Sequence, residues 1–195
     1  MRSIFTMMIA AAGTVIGALA MPTAANAATI TVNGDTTGAP TWNRPFNLAG
    51  NLSGTGTDTP YDVIAFSVDT TGDYEFEITS ANFDTYIFLY DEAGFDPMNQ
   101  SLGLQALDDD GGAGLLSLIT DANGDNATLT ANLVYYIVVS GFSNSAFGTY
   151  ALEIRGNGNV SLGATEVPLP AALPLFLAGV AGIGAIGRRR KAKAA

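Results

Sequence analysis

Carboxylates are the side chains of this chain best suited to chemistry, and three of them stand together in the run Asp108-Asp109-Asp110-Gly111-Gly112. Ca²⁺ takes about six to eight oxygen ligands in an adaptable geometry, so this composition suits a calcium loop. Adjacent aspartates also favour solvated turns, because the Asp side chain bonds to nearby backbone. The run by itself leaves both interpretations open.

Two more aspartates lie at the ends of the apolar segment 85–90, which has the length and composition of a strand. Asp84 precedes this segment and Asp91 follows it, so either carboxylate could add a ligand to a neighbouring loop. Ca²⁺ is the cofactor that this pattern indicates. The candidate metal ligands are Asp84, Asp91, Asp108, Asp109 and Asp110.

A second acidic loop, DANGDN at residues 121–126, has oxygens at the first, third and fifth places of a calcium-loop pattern. It departs from that pattern at Asn126, where glycine usually makes the turn, and at Asn132, where a bidentate glutamate belongs. A plain Asn-Gly turn explains the same residues, so we expect a β-hairpin that joins segments 118–119 and 127–129.

The chain contains neither cysteine nor histidine. This excludes thiol chemistry, disulfide bonds and a Ser-His-Asp triad, and it removes the usual transition-metal ligand. Hydrolysis by two carboxylates needs neither residue, yet no spacing in the sequence selects such a pair. We therefore expect a protein that is not an enzyme, with a carboxylate-dependent hydrolase of extracellular polysaccharide as the alternative.

The first 27 residues have the pattern of a secretory signal peptide. Arg2 gives a positive start, residues 4–19 are apolar, and Ala25 and Ala27 form a small-x-small cleavage site. We expect the general secretion machinery to export the chain and the signal peptide to be removed after Ala27.

Residues 167–195 form a tail of three parts. An apolar run over 169–186 is just long enough to span a bilayer, and the basic block over 188–193 should stay on the cytoplasmic side. We therefore predict a C-terminal transmembrane helix. The motif that opens the tail is Val167, Pro168, Leu169, Pro170 and Ala171, and the basic block begins with Arg188, Arg189 and Arg190.

This tail resembles the PEP-CTERM class of bacterial sorting signals, in the variant that carries VPLPA. The resemblance implies an exosortase as a partner and a Gram-negative host that makes exopolysaccharide, itself a candidate partner. It also implies anchoring in the inner membrane during transit, followed by placement at the cell surface or in the extracellular matrix. An ordinary C-terminal anchor is the alternative, although an anchor needs no VPLPA motif.

The body between the two ends is strongly acidic. Residues 28–166 contain all 18 acidic side chains but only two basic ones, Arg44 and Arg155, so the formal charge of the body is −16. Such a surface repels nucleic acid phosphates and anionic lipid, and we expect no nucleic acid partner. The acidic side chains could supply oxygen ligands for cations, and solubility explains their number equally well.

Apolar and polar residues alternate with a period of two along most of this body. Segments 61–68 and 73–78 each have one apolar face, which predicts a hairpin around the turn at 70–72. Segments 85–90 and 134–140 are apolar on both faces, as expected of central strands covered on both sides. Segment 149–154 alternates again, and weaker strands are expected at 29–32, 46–52, 115–120 and 127–131.

About eight or nine short strands separated by Gly, Asn and Asp turns predict an all-β fold, an antiparallel jelly-roll-like β-sandwich. A signal peptide helix and a transmembrane helix are expected to flank it. The predicted organisation is a signal peptide at 1–27, a domain at 28–156, a polar linker at 157–166 and the sorting tail at 167–195.

The order FSVDTTGDYEFEI, FDTYIFLYDEAG, LDDDGGAG and LVYYIVVSGFSNSAFGTYALEI resembles the bacterial pre-peptidase C-terminal (PPC) domain, from about residue 61 to residue 155. The resemblance implies an accessory jelly roll found on exported proteins, some of which bind calcium or matrix polymers, and it marks Asp108 and Asp109 as metal ligands. We expect no peptidase domain to precede it. We therefore expect a structural, adhesive or binding component of the cell envelope or exopolysaccharide matrix.

Overall fold

The computed structural model describes residues 28–125 and 127–163. The predicted signal peptide at 1–27 and the sorting tail at 167–195 lie outside the described residues. Within the described ranges the regular structure is eleven β-strands and one short 3-10 helix at Asp121–Asn123. None of the helices in those ranges is long and apolar enough to cross a membrane. The all-β class predicted from the sequence is confirmed.

The strands follow the chain in short steps, and three of them have only two residues. They are β1 (Ala28–Asp35), β2 (Thr41–Trp42), β3 (Thr59–Val68), β4 (Gly72–Ala81), β5 (Thr85–Tyr90), β6 (Leu104–Asp108), β7 (Leu118–Ile119), β8 (Thr128–Leu129), β9 (Val134–Gly141), β10 (Thr149–Gly156) and β11 (Val160–Leu162).

These strands form two antiparallel sheets. The five-stranded sheet has the order β1-β10-β4-β7, and β8 also pairs with β4. The six-stranded sheet has the order β11-β3-β9-β5-β6, and β2 also pairs with β3. Both sheets contribute buried side chains to one common core, so the molecule is sandwich-like.

Alternation in the sequence decides which side chains enter this core. Phe66 of β3 and Phe76 of β4 point inward, and their ring centroids lie 5.5 Å apart in an edge-to-face arrangement. Strands β5 and β9 are buried on both faces, as predicted. The outer face of β5 packs Phe88 against Trp42 of β2, which also contacts Phe95 from a loop. A second apolar layer therefore covers the outside of the six-stranded sheet.

The predicted hairpin of β3 and β4 is wrong, because these strands lie in different sheets. Each strand has a single apolar face, and both faces are buried when the strands face each other across the core. The short connection at residues 69–71 therefore crosses from one sheet to the other. The outward side chains of β4 stay on the wet face, where Arg155 of β10 forms ion pairs with Glu75 and Glu77.

The predicted hairpin around Asn123-Gly124 is also wrong. Strands β7 and β8 do not pair with each other, since both pair with β4. The segment between them leaves the edge of β4 and returns to it. Asp121 Oδ1 accepts a hydrogen bond from Ala127 N at 3.0 Å, and Asp125 Oδ2 accepts one from Thr120 N at 3.3 Å. These carboxylates close the loop on itself.

Three further segments differ from expectation. Residues 46–52 form a loop with one isolated bridge between Pro45 and Leu52, not a strand. Strand β6 was not predicted, because LQALD lacks a clear alternation. The expected linker at 157–166 contains β11, which pairs with residues 66–68 of β3. This short polar segment has too few residues for an alternation that would predict a strand, and backbone hydrogen bonds to β3 hold it in place.

Candidate metal centre

Three carboxylates meet at one corner of the six-stranded sheet. Strands β5 and β6 are antiparallel neighbours, with Ile87 opposite Asp108, so the start of β5 and the end of β6 lie at the same end of the sheet. Asp84 comes directly before β5, while Asp109 and Asp110 come directly after β6. One carboxylate oxygen from each of the three lies within 4.8 Å of the others. We call these three residues the corner site.

Two oxygens of the corner site have no hydrogen-bond partner among the described residues. Asp84 Oδ1 and Asp109 Oδ1 are both shielded from solvent and unpaired. A buried carboxylate oxygen without a donor is unfavourable, because it has lost its water and gained nothing in exchange. A cation bound between the carboxylates would supply the missing partner, so these residues fit a metal ion.

The corner site also disfavours its own negative charge. Burial raises the pKa of Asp109 to about 6, and repulsion from Asp110 and Asp84 adds to the rise. The pKa of Asp84 is raised as well, first by burial and then by Asp110, while the positive charge of Arg44 opposes the shift. Protons and metal ions would therefore compete for the same oxygens.

Arg44 is the charged residue near this site that the sequence analysis missed. Its side chain is 1 % exposed and lies over the Tyr86 ring, with Cζ 4.2 Å from the ring centroid. Its Nη2 donates to the Phe142 carbonyl at 2.5 Å, and its Nε donates to the Gly141 carbonyl at 3.1 Å. Burial lowers the pKa of Arg44, whereas Tyr86, Asp109 and Asp84 oppose that shift.

This arrangement leaves the carboxylates available. The guanidinium donors of Arg44 are used on backbone carbonyls, and the ion pairs found within residues 28–125 and 127–163 all involve Arg155. Arg44 therefore offsets the negative charge of the corner site from a distance without occupying its oxygens. Its position as one of only two basic residues in a very acidic body was the sequence signal that could have drawn attention to it.

The other two predicted ligands have different roles. Asp108 Oδ2 accepts hydrogen bonds from Gly111 N and Leu118 N, both at 2.8 Å, so it closes the loop after β6 and joins β6 to β7. Asp91 follows the far end of β5, about 20 Å along the strand from Asp84. Its Oδ1 accepts from Ala93 N at 2.9 Å in a local turn. The structure brings neither residue into the group formed by the corner site.

Three carboxylates supply only part of a calcium shell. Ca²⁺ needs about six to eight oxygens, so water and carbonyl oxygens would complete it, and affinities of such extracellular sites are about 0.1–1 mM.

No family model matches this chain, and no curated protein matches it either. The geometry of the corner site is thus the main structural guide to function.

Proposed function

We propose that this protein is an exported, surface-sorted β-sandwich module that is not an enzyme. It serves as a structural, adhesive or binding component of the cell envelope or exopolysaccharide matrix, and calcium stabilises its corner site. The single observation that carries the calcium part is the convergence of Asp84, Asp109 and Asp110, with two of their oxygens buried and unpaired. The signal-peptide and PEP-CTERM-like ends of the sequence support the export and sorting parts.

We assign the finer topology to a PPC-like jelly roll. In support, successive strands repeatedly change sheets: β3 to β4, β4 to β5, β6 to β7 and β9 to β10 all cross between them. Crossings of this kind are typical of Greek-key and jelly-roll sandwiches. The acidic loop of the quoted PPC-like motifs is also the loop that supplies Asp109 and Asp110 to the corner site.

Calcium would have a mechanical role at this corner. Asp84 comes directly before β5, whereas Asp109 and Asp110 begin the long connection from β6 to β7. Within the described residues, that connection is tied to β5 through Thr85, which donates its N–H to the Leu115 carbonyl at 3.2 Å. An ion shared by the three carboxylates would fasten the other end of the connection.

Export and sorting are tested by cell fractionation with intact-mass analysis. The test compares the full chain with two variants. One lacks residues 167–195, and in the other only the VPLPA motif at 167–171 is replaced by alanines. We expect surface or matrix association to be lost in both variants, and the recovered full-chain product to lack its tail. Unchanged surface association of the deletion variant would contradict the sorting proposal.

A carboxylate hydrolase is the second candidate, and one observation favours it. The raised pKa of Asp109, about 6, suits a general acid near neutral pH, and Asp84 lies beside it. The carboxylate oxygens of the corner site lie within 4.8 Å of one another. This separation is shorter than inverting hydrolases need and nearer to that of retaining ones. Cleavage of a polysaccharide panel by the purified protein, abolished by Asp109→Asn, would support this candidate over ours.

A further inference from the structure

Among the described residues, the first strand of the domain is paired along only one of its two edges. β1 pairs with β10 over its whole length, from Ala28 opposite Gly156 to Asp35 opposite Thr149. Within residues 28–125 and 127–163, no strand pairs with its other side. The backbone groups on that side are therefore open to another strand.

Hydrogen-bond parity shows which groups face outward. Thr36 N donates to the Gly148 carbonyl at 2.9 Å, in step with the register of β1 and β10. Since donors alternate along a strand, even-numbered residues of β1 bond to β10 and odd-numbered ones face the other edge. The hydrogen bonds of β4, which pairs with the other side of β10, are consistent with this alternation. Ile78 N of β4 donates to the Ser117 carbonyl, away from β10. Thr29, Thr31 and Asn33 therefore offer unpaired N–H and C=O groups.

This edge lacks the usual protection against pairing. Natural edge strands carry lysine, proline, bulges or inward charges, or they are very short. β1 has eight residues, ATITVNGD, and its only charge is Asp35 at the last position. By contrast β7, β8 and β11 have two or three residues each, and the Asp108 carboxylate joins the end of β6 to Leu118 N of β7.

The sequence of β1 is also complementary to itself. When two copies of β1 run antiparallel about a two-fold axis at Thr31, that residue meets its own copy and Thr29 meets Asn33 on the exposed face. On the inner face Ile30 meets Val32, and both of these already pack against the core. The outward-facing backbone groups of Thr29, Thr31 and Asn33 then pair with those of the other copy, giving about six hydrogen bonds. Asp35 lies beyond the paired residues.

The acidic body opposes this contact only weakly at physiological salt. The nearest charged rows lie on β10 of each copy, three strand spacings or about 14 Å apart. That distance exceeds the Debye length of about 8 Å at 0.15 M salt. Within each row Arg155 pairs with Glu153, with side-chain atoms 2.6 Å apart, so part of the charge is already neutralised.

We propose that β1 is an interaction surface for a second copy of this chain, which pairs antiparallel about Thr31 to join the two five-stranded sheets into one. The contact is small and edge-on, so the dimer is weak. Because net charge still opposes association, dimerisation strengthens as salt is raised. The proposed contact includes no residue of the corner site.

Cysteine cross-linking of the full chain tests the register, because the chain has no other cysteine. Variants are exported to the oxidising periplasm and analysed on non-reducing gels. Thr31→Cys should form disulfide-linked dimers, since its Cα would lie about 5.5 Å from its copy. Thr29→Cys alone should not, since its copy would lie about 14 Å away, but co-expressed with Asn33→Cys it should cross-link.

Thr79→Cys is the matched control, an exposed threonine on the same sheet but on the internal strand β4. We expect Thr31→Cys dimers to exceed this control at least fivefold. A second variant, Thr31→Pro, should be monomeric by light scattering at 0.15 and 0.5 M salt, because this N–H faces away from β10 and its loss spares the internal ladder. Equal cross-linking at residues 29, 31 and 79, or a monomeric wild-type chain at both salt concentrations with no excess of Thr31→Cys dimer, would overturn the proposal.

Discussion

Replacing Asp109 with asparagine should stabilise the calcium-free protein and abolish its response to calcium. Asparagine has nearly the shape of aspartate but no charge. In the fold, burial and the neighbouring carboxylates raise the pKa of Asp109 from 3.8 to about 6. This rise corresponds to about 3 kcal/mol against the ionised form, and solvent screening at a partly exposed site reduces it to about 1–2 kcal/mol.

The variant should be more stable than wild type without calcium but should lose the stability that calcium adds. These two opposite changes make it informative. Removal of the charge at pH 7 should raise the melting temperature without calcium by about 3–8 °C for a domain of this size. The wild-type protein should gain about 2.7 kcal/mol when calcium reaches a hundred times its Kd, a rise of about 10 °C. Asp109→Asn should gain less than about 2 °C from the same calcium, because one ligand charge is missing.

The assay is thermal melting at pH 7 in chelator and in 10 mM Ca²⁺, with Mg²⁺ at equal ionic strength as the salt control. Asp58→Asn is the matched variant, since Asp58 is exposed and lies outside the corner site. It should melt within about 2 °C of wild type and keep the full response to calcium. A lower melting temperature of Asp109→Asn than of wild type in chelator, or a wild-type response of this variant to calcium, would contradict a calcium site at Asp109.

Further predictions concern pH and two buried contacts. Since the folded pKa of Asp109 lies above its unfolded value, its ionisation removes stability as pH rises from about 4 to 6. In chelator, wild type should therefore lose about 1–2 kcal/mol relative to Asp109→Asn across that window, measured by urea unfolding. Calcium affinity should fall about tenfold from pH 7 to pH 5 by titration calorimetry, because protons occupy the same carboxylate. Tyr150→Phe removes a 2.6 Å hydrogen bond to the Asp62 carboxylate that joins the two sheets, and urea unfolding should show a loss of about 1.5–3 kcal/mol. Arg44→Met leaves buried carbonyls without donors and should cost at least about 3 kcal/mol in the same assay, whereas a stability within 1 kcal/mol of wild type would contradict the role assigned to Arg44.

Side-chain alternation allowed the inner faces of several strands to be predicted from sequence. Tyr74, Phe76 and Ile78 of β4 are buried as predicted, and β5 is buried on both faces. Alternation identifies an apolar face but not the strand that will lie beside it. For that reason the sheet assignment of β3 and β4 was wrong, although the inward residues of both strands were predicted correctly.

The candidate site was predicted as a composition but not as an arrangement. Five aspartates were candidates. The alternation of side chains along β6 decides which of the adjacent Asp108 and Asp109 reaches the site. Asp108 has the same parity as buried Ala106 and turns toward β7, whereas Asp109 takes the opposite parity and meets Asp84. Asp110 lies beyond the end of β6, where strand parity no longer applies. Arg44 could not be placed, because it reaches the site from a loop 40 residues before Asp84 and no local pattern records that contact.

Calcium bound per chain is the most direct measurement of whether the corner site holds a metal ion. Equilibrium dialysis against 1 mM radioactive Ca²⁺ at pH 7 would be run on the wild-type protein, on the double variant Asp84→Asn/Asp109→Asn and on Asp58→Asn. We predict about 0.5–0.9 displaceable calcium per chain in wild type and in Asp58→Asn beyond any shared nonspecific binding, as a Kd of about 0.1–1 mM requires, and none in the double variant. Equal binding by all three proteins would contradict a specific calcium site at this corner.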